Sequence, residues 1–96
     1  MIKSFGNDTA RDIFDGSNTK AARKLPRDLW PIAVRKLDQL NAAFQLSDLR
    51  VPPGNRLEVL RGDLAGHHSI RINDQFRIVF KWTDDGPERV KIVDYH

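Results

Sequence analysis

Two helical patterns occupy the first half of the chain. In the longer one, apolar residues recur at steps of three and four and form a single stripe, made of Trp30, Val34, Leu37, Leu40 and Phe44. The stripe predicts a helix over residues 28–44, and Pro31 lies in its first turn, where a missing N–H costs little. Asn7 or Thr9 can cap a shorter helix that ends at Gly16.

Weaker signals surround these two helices. Residues 2–5 can form a short first strand, and Ser47 can cap one further helical turn after the long helix. The run Pro52-Pro53-Gly54-Asn55 then ends helical structure.

From residue 56 onward the apolar period changes to two. Four short runs alternate apolar with polar positions, around Leu57 and Val59, Ile70 and Ile72, Phe76 to Trp82, and Val90 and Ile92. Turn residues separate the runs, so the pattern predicts an antiparallel meander with one buried face and one basic, solvated face. With the two N-terminal helices on the buried face, the fold class is α+β.

The composition agrees with one small folded domain over residues 1–96. Forty per cent of the residues are hydrophobic and 30% are charged, which is typical of a globular chain. Because there is no cysteine, neither a disulfide nor a thiolate metal site can support the fold. The start of the chain has no apolar signal segment, and no apolar run approaches the roughly 20 residues that span a bilayer. We therefore expect a soluble, cytoplasmic protein without membrane association.

Positive charge gives the first indication of a partner. The net charge is +3, and part of the basic residues fall close together in the N-terminal half, at Lys20, Arg23, Lys24, Arg27, Arg35 and Lys36. A later set is spread over the predicted strands, at Arg56, Arg61, Arg71, Arg77, Lys81, Arg89 and Lys91. A basic sheet face favours a polyanion such as RNA, although an ordinary solvated surface has the same composition.

Several kinds of catalytic site are disfavoured. The glycines are scattered singly, so there is no phosphate-binding loop. His67 and His68 are neighbours on a predicted strand and point to opposite faces, which does not suit one metal ion. Ser69, Asp94 and His96 could form a triad, but no nucleophile elbow surrounds the serine. We expect neither a metal nor a cofactor.

The C-terminal segment Asp94-Tyr95-His96 is the best candidate for chemistry. A histidine titrates near neutral pH, an aspartate can orient it, and a tyrosine can stack on a base. A frayed polar terminus is the alternative interpretation. RNA supplies its own nucleophile, the 2′-OH, so cleavage needs only a base, an acid and a charge stabiliser. Glu58 and the histidines can titrate, and an arginine such as Arg77 can stabilise a phosphorane.

These residues, taken in order, resemble the HigB branch of the RelE toxin superfamily, the host-inhibition and plasmid-maintenance killer toxins. The resemblance covers essentially the whole chain. Its most specific parts are SIRINDQFRIVF at residues 69–80 and VDYH at residues 93–96, with residues 52–63 before them.

The resemblance implies the RelE-like microbial-ribonuclease fold, with two N-terminal helices on one face of a small antiparallel sheet. It also implies a metal-independent endoribonuclease toxin of a type II toxin–antitoxin system. Such a toxin enters the A site on the 30S subunit and cuts mRNA by 2′-OH attack. Its partners would be the ribosome, mRNA and a helix-turn-helix antitoxin of the HigA type, with operator DNA reached only through the antitoxin complex.

Residue by residue, Asp94, Tyr95 and His96 match the family's catalytic tail, and Arg77 matches the hairpin arginine that faces the scissile phosphate. The resemblance thus implies that His96, oriented by Asp94, protonates the leaving oxygen, that Arg77 stabilises the phosphorane and that Tyr95 fixes the base or the phosphate. The expected contacts to the RNA backbone are Arg61, Arg71, Lys81 and Lys91.

One position departs from the family pattern. Many relatives have a histidine where this chain has Glu58. Glu58 can act as the general base, or it is a surface residue and His96 does the acid–base work alone. His67 or His68 could also replace the missing histidine.

A different class of function fits the same basic face. A non-catalytic module could bind the ribosome and only block translation, which would leave the mRNA intact. The two classes differ in whether the mRNA is cut.

Overall fold

The structure is a computed structural model that describes residues 1–95 of the 96-residue chain. Two α-helices, α1 (Asp8–Asp15) and α2 (Trp30–Ala42), precede four strands, β1 (Glu58–Val59), β2 (His67–Arg71), β3 (Phe76–Thr83) and β4 (Gly86–Asp94). The strands form one antiparallel sheet in the order β1-β2-β3-β4. The predicted α+β fold and its meander are confirmed.

Helix α1 begins and ends where the capping residues predict. The Asn7 side-chain oxygen accepts the Ala10 N–H at 3.0 Å, and Gly16 takes the left-handed conformation at the C-cap with φ 78°. Asn7 also donates its side-chain N–H to the Ile92 carbonyl at 2.9 Å, which ties the start of the helix to β4. Thr9 lies inside the helix and is not its cap.

Helix α2 is shorter than the apolar stripe predicts, and the prediction that it reaches residue 44 is wrong. The Asp48 carboxylate accepts the backbone N–H groups of Phe44 at 3.0 Å and of Gln45 at 3.2 Å. These bonds turn the chain away from the helix axis and leave Phe44 97% exposed. Gln45, and not Ser47, caps the following 3₁₀ turn Leu46–Arg50.

The N-terminal segment does not form the predicted first strand. It runs beside β4 with a single parallel bridge between Phe5 and Val90. The reason lies in β4, where Arg89 has φ 54° and interrupts the strand's regular alternation at the point of contact.

The two helices cover one face of the sheet, as predicted. The core between them contains fully buried aliphatic and aromatic side chains, among them Leu25, Leu37, Leu40, Ile70, Ile78, Phe80 and Val90. Each large apolar side chain buried there contributes about 1.5–3 kcal/mol. No helix in residues 1–95 is long and apolar enough to cross a membrane.

The second face of the sheet is not the uniformly solvated surface that alternation predicts. Ser69 and Val79 on this face are fully buried, and Arg77 is only 7% exposed. A buried arginine requires hydrogen-bond partners, because an unpaired buried charge is costly. The partners of Arg77 define the candidate site.

Candidate active site

Arg77 is the centre of the site. It projects from β3, and its Nε donates to the Ser69 hydroxyl at 2.8 Å, while Nη2 donates to the Arg56 carbonyl at 2.5 Å. Its Nη1 lies 3.5 Å from Oε1 of Glu58. The Tyr95 ring lies on the guanidinium, with Cζ 5.5 Å from the ring centroid. The guanidinium is therefore held in one orientation from several sides.

Glu58 reaches Arg77 because of the register of the sheet. Glu58 on β1 pairs with Ser69 on β2, and Ser69 pairs with Val79 on β3, so these residues share one face. The Glu58 side chain is 47% exposed, in contrast to Arg77. A carboxylate that is both solvent-accessible and beside a fixed guanidinium is suited to accept a proton from a bound substrate.

The Asp94 and Tyr95 side chains of the C-terminal segment lie on opposite faces of the sheet. Asp94 pairs with Phe76, whose side chain faces the core, whereas Tyr95 follows on the side of Arg77. The backbone N–H of Tyr95 donates to the Gln75 carbonyl at 2.6 Å, and the Gln75 amide donates to the Asp94 carboxylate at 2.9 Å. Asp94 lines an open cleft of about 810 Å³ beside Lys24. The structure thus brings Tyr95, but not Asp94, to Arg77.

His96, the predicted general acid, lies outside the described residues. Its place relative to Arg77 therefore remains a prediction from the sequence.

The two neighbouring histidines point to opposite faces, as expected for a strand. His67 pairs with Lys81 and shares the face of Ser69, whereas His68 pairs with Phe80 and stacks near it at 6.2 Å between ring centroids. Burial lowers the pKa of His68, and the charge of His67 adds to the effect. Of the two, His67 alone lies on the face of Glu58, two positions along β2 from Ser69.

Three of the predicted RNA contacts share the face of Arg77. Arg71 is the direct cross-strand neighbour of Arg77, Lys81 lies four positions further along β3, and Lys91 pairs with Val79. Arg71 also forms an ion pair with the exposed Asp74. The fourth, Arg61, is exposed and follows β1 at the edge of the sheet. Within residues 1–95, no three His, Cys, Asp or Glu side chains group together as metal ligands.

Two parts of the site do not follow from the sequence pattern alone. In the sequence Ser69 is only a candidate nucleophile, yet in the structure its hydroxyl accepts the Arg77 Nε–H. The period-two pattern puts both on one face, which could have suggested the pair. The Arg56 carbonyl points at Arg77 because Arg56 has φ 46°, a left-handed conformation that nothing in the sequence indicates for an arginine.

Comparisons with known proteins agree with this fold. Two solved structures of the YoeB-YefM toxin–antitoxin complex from Staphylococcus aureus contain a chain that superposes with TM-scores of 0.58 and 0.59. Each comparison covers 100% of this chain and 98% of that chain at 18% identity, which shows a shared fold. This chain therefore shares the α+β fold of the matched chain in these complexes.

The sequence comparison specifies the family. Residues 3–96 match the family model of the HigB-like toxins, described as RelE-like toxins of type II toxin–antitoxin systems. Toxin HigB-1 of Vibrio cholerae serotype O1 is 49% identical over 65 residues, which is 68% of either chain. An uncharacterized protein of Haemophilus influenzae is 39% identical over 62 residues, 65% of this chain and 61% of its own. This chain belongs to the HigB-like toxin family, and the resemblance inferred from the sequence is confirmed.

Proposed function

We propose that this toxin is a ribosome-dependent mRNA endoribonuclease that cuts mRNA in the ribosomal A site. The observation that carries the proposal is the fixed guanidinium of Arg77, which lies 3.5 Å from the Glu58 carboxylate and against the Tyr95 ring. Cleavage by the RNA's own 2′-OH requires a charge stabiliser and a proton acceptor at one phosphate. Arg77 and Glu58 supply both on one face of the sheet.

The proposed reaction forms one bond and breaks one. The 2′-oxygen bonds to phosphorus as Glu58, or the neutral imidazole of His96, accepts the 2′-OH proton. The bond from phosphorus to the 5′-oxygen breaks as His96 donates a proton to that oxygen. The products are a 2′,3′-cyclic phosphate and a 5′-OH end. Each step uses a side chain of the protein, so the proposal requires no metal or cofactor.

Arg77 acts as a preorganised donor in this scheme. Its Nε and Nη2 stay bonded to Ser69 and Arg56, and an N–H of Nη1, the nitrogen beside Glu58, donates to a phosphate oxygen. A donor already held in place stabilises developing charge without reorganising at the moment of reaction. Tyr95, which is 42% exposed, can stack on a base or hydrogen-bond the phosphate. Arg61, Arg71, Lys81 and Lys91 bind the RNA backbone.

The proposal includes the partners expected of the family. A helix-turn-helix antitoxin of the HigA type neutralises the toxin in the cytoplasm, and operator DNA is bound only through that complex. Two facts support this part of the proposal. The matching family consists of toxins of type II toxin–antitoxin systems, and the two solved structures compared above are YoeB-YefM toxin–antitoxin complexes.

A second candidate function is a block of translation without cleavage. It is favoured by Arg71, Lys81 and Lys91, which give one face of the sheet positive charge independently of any catalytic group. A blocking protein stalls ribosomes and leaves the mRNA whole.

The test of the endoribonuclease is an mRNA with one 2′-deoxy nucleotide. The toxin is added to ribosomes that hold either the all-ribose mRNA or the same mRNA with the deoxy substitution on the 5′ side of the mapped cut. We expect the substitution to remove that cut and leave cuts at other codons unchanged. A cut that persists at the deoxy position would exclude 2′-OH attack, and intact all-ribose mRNA on stalled ribosomes would favour the block.

A further inference from the structure

Lys36 of α2 belongs to the basic residues of the N-terminal half that the proposed reaction does not use. Its ammonium donates to the Asn55 side-chain oxygen at 2.5 Å. Asn55 is fully buried, and its amide N–H groups donate to Gln39 at 3.0 Å and to the Leu49 carbonyl at 3.1 Å. A lysine that bonds to a fixed, buried amide is held in place, unlike a freely moving surface lysine.

The residues that hold Lys36 and Arg77 in place are neighbours in the sequence. Asn55 holds the Lys36 ammonium with its side chain, and the following residue, Arg56, holds the Arg77 guanidinium with its carbonyl. The turn Pro53–Asn55 also contacts β2, the strand that carries Arg71. Two consecutive residues of one turn therefore position two cations, one at the candidate active site and one beside it.

Positive charge accumulates around this lysine. The pKa of Lys36 lies below its ordinary value because burial desolvates the ammonium, and because Arg35 and then Arg71 add positive charge nearby. The acid closest in sequence to Arg71 is Asp74, its ion-pair partner, whose side chain is 97% exposed. Exposed ion pairs contribute little, so an incoming anion can replace Asp74 at low cost. Repulsion among neighbouring cations is relieved when an anion binds between them.

We propose that Lys36, together with Arg71 on the strand that the turn contacts, forms a second phosphate-binding subsite, which takes a backbone phosphate of the RNA strand whose scissile phosphate lies at Arg77. The subsite rests on the proposed function for the identity of its ligand. Lysine binds phosphate as a point charge, and arginine binds it through paired N–H groups. The subsite extends the RNA path from β3 across β2 to α2, and it sets the register of the strand without reading its bases.

The salt dependence of RNA binding tests this subsite without relying on cleavage. The probe is a ribosome programmed with an mRNA that carries 2′-O-methyl groups in the A-site codon and therefore lacks the nucleophile. Affinity is measured at several salt concentrations for the wild type, Lys36→Gln, Lys36→Arg and Lys3→Gln. Lys3 is a matched control, since its backbone N–H bonds to Pro87, at the end of β4 far from Val93, the partner of Arg77.

We expect Lys36→Gln to weaken binding about tenfold at low salt, as for the loss of one charge-assisted hydrogen bond. The slope of log affinity against log salt should become shallower by about 0.7, the value for one phosphate of a single strand. Lys36→Arg should keep the wild-type slope, and Lys3→Gln should change it little. Thermal melting of all four proteins verifies that they are folded.

The outcomes separate the subsite from the proposed nuclease. If the wild type cuts ordinary mRNA but Lys36→Gln keeps the full slope, the nuclease stands and the subsite is wrong. If Lys36→Gln loses slope while no protein cuts mRNA, the subsite stands and the nuclease is wrong. An equal decrease in the salt slope for Lys36→Gln and Lys3→Gln would reflect net charge alone and contradict the subsite. An unchanged RNA slope with weakened antitoxin binding would assign Lys36 to a protein carboxylate instead.

Discussion

Arg77 and Glu58 show how much of the candidate site depends on single side chains. Arg77 donates to a hydroxyl and to a carbonyl, and these bonds leave its Nη1 directed at Glu58. The family resemblance identifies Arg77 and marks Glu58 as the departure from the usual histidine. The contact between them follows only from the register of β1 on β2 and of β2 on β3.

Glu58→Gln should slow cleavage by a factor of about 10²–10⁴, because an amide cannot accept the 2′-OH proton. Glutamine keeps the size of the side chain, so mRNA binding should change little. The measurement is single-turnover cleavage on programmed ribosomes, with Glu88→Gln as a matched control further along the same face. Wild-type rates for Glu58→Gln would place the base elsewhere, at His96 or His67.

Ser69→Ala removes the acceptor of the Arg77 Nε and leaves a buried N–H without its partner. The free energy of unfolding should fall by about 1–3 kcal/mol, the cost of an unsatisfied buried donor. Urea unfolding measures the change, and Ser47→Ala at an exposed position is the control. Equal stability of the two variants would mean that the bond contributes nothing to the fold.

At the scale of elements, the sequence predicts the features that hydrophobic periodicity and capping residues determine. The meander and the end of α1 at Gly16 follow from local patterns, whereas the sequence allows either Asn7 or Thr9 as the N-cap of α1 and the structure has Asn7. The end of α2 does not, since the Asp48 carboxylate captures N–H groups that would otherwise continue the helix. The apolar stripe includes Phe44, but tertiary context leaves this ring exposed.

Hydrophobic periodicity does not predict the structure of the turn between α2 and β1. Its Pro-Pro-Gly-Asn run predicts only that helical structure ends there. In the structure Asn55 is buried, and hydrogen bonds of its side-chain amide hold the turn against α2. The carbonyl that orients Arg77 belongs to the next residue, Arg56. A buried amide cannot be recognised from a composition that is typical of exposed loops.

Asn55→Ala should therefore lower both stability and cleavage. It leaves the Leu49 carbonyl and the Gln39 side chain without their donor, which costs about 1–3 kcal/mol for each buried group that stays unpaired. Cleavage should fall further than the folded fraction explains, because the Arg56 carbonyl loses its fixed position. Asn18→Ala, in an exposed loop, should change neither property. Cleavage that follows the folded fraction alone would limit Asn55 to a structural role.

At the scale of the whole molecule, the half-buried His68 links stability to pH. The folded-state pKa of His68 is lower than its ordinary value of 6.5, because of burial first and the charge of His67 second. Between the folded and the unfolded pKa of this histidine, the unfolded chain binds more protons than the folded protein does. The contribution of His68 to the free energy of unfolding is thus fully present above about pH 6.5. It is lost as the pH falls from there through the folded pKa.

We expect the free energy of unfolding to decrease as the pH is lowered below about 6.5, and His68→Gln to make this decrease smaller. Urea unfolding at a series of pH values between about 5 and 8 measures both proteins. A wild-type pH dependence that is unchanged in His68→Gln would show that other groups cause it.

The central claim is that the guanidinium of Arg77 is the charge stabiliser of an mRNA endonuclease. Its most direct test is primer extension on a defined mRNA translated with wild type, Arg77→Ala or Arg77→Lys, all without a tag next to the candidate catalytic residue His96. Thermal melting of each variant verifies that the proteins whose rates are compared are folded. We predict A-site cuts with the wild type, a loss of about 10²–10³ in rate for Arg77→Ala, and incomplete recovery with lysine, which lacks the paired N–H groups. Folded Arg77→Ala that cuts at the wild-type rate would contradict the account.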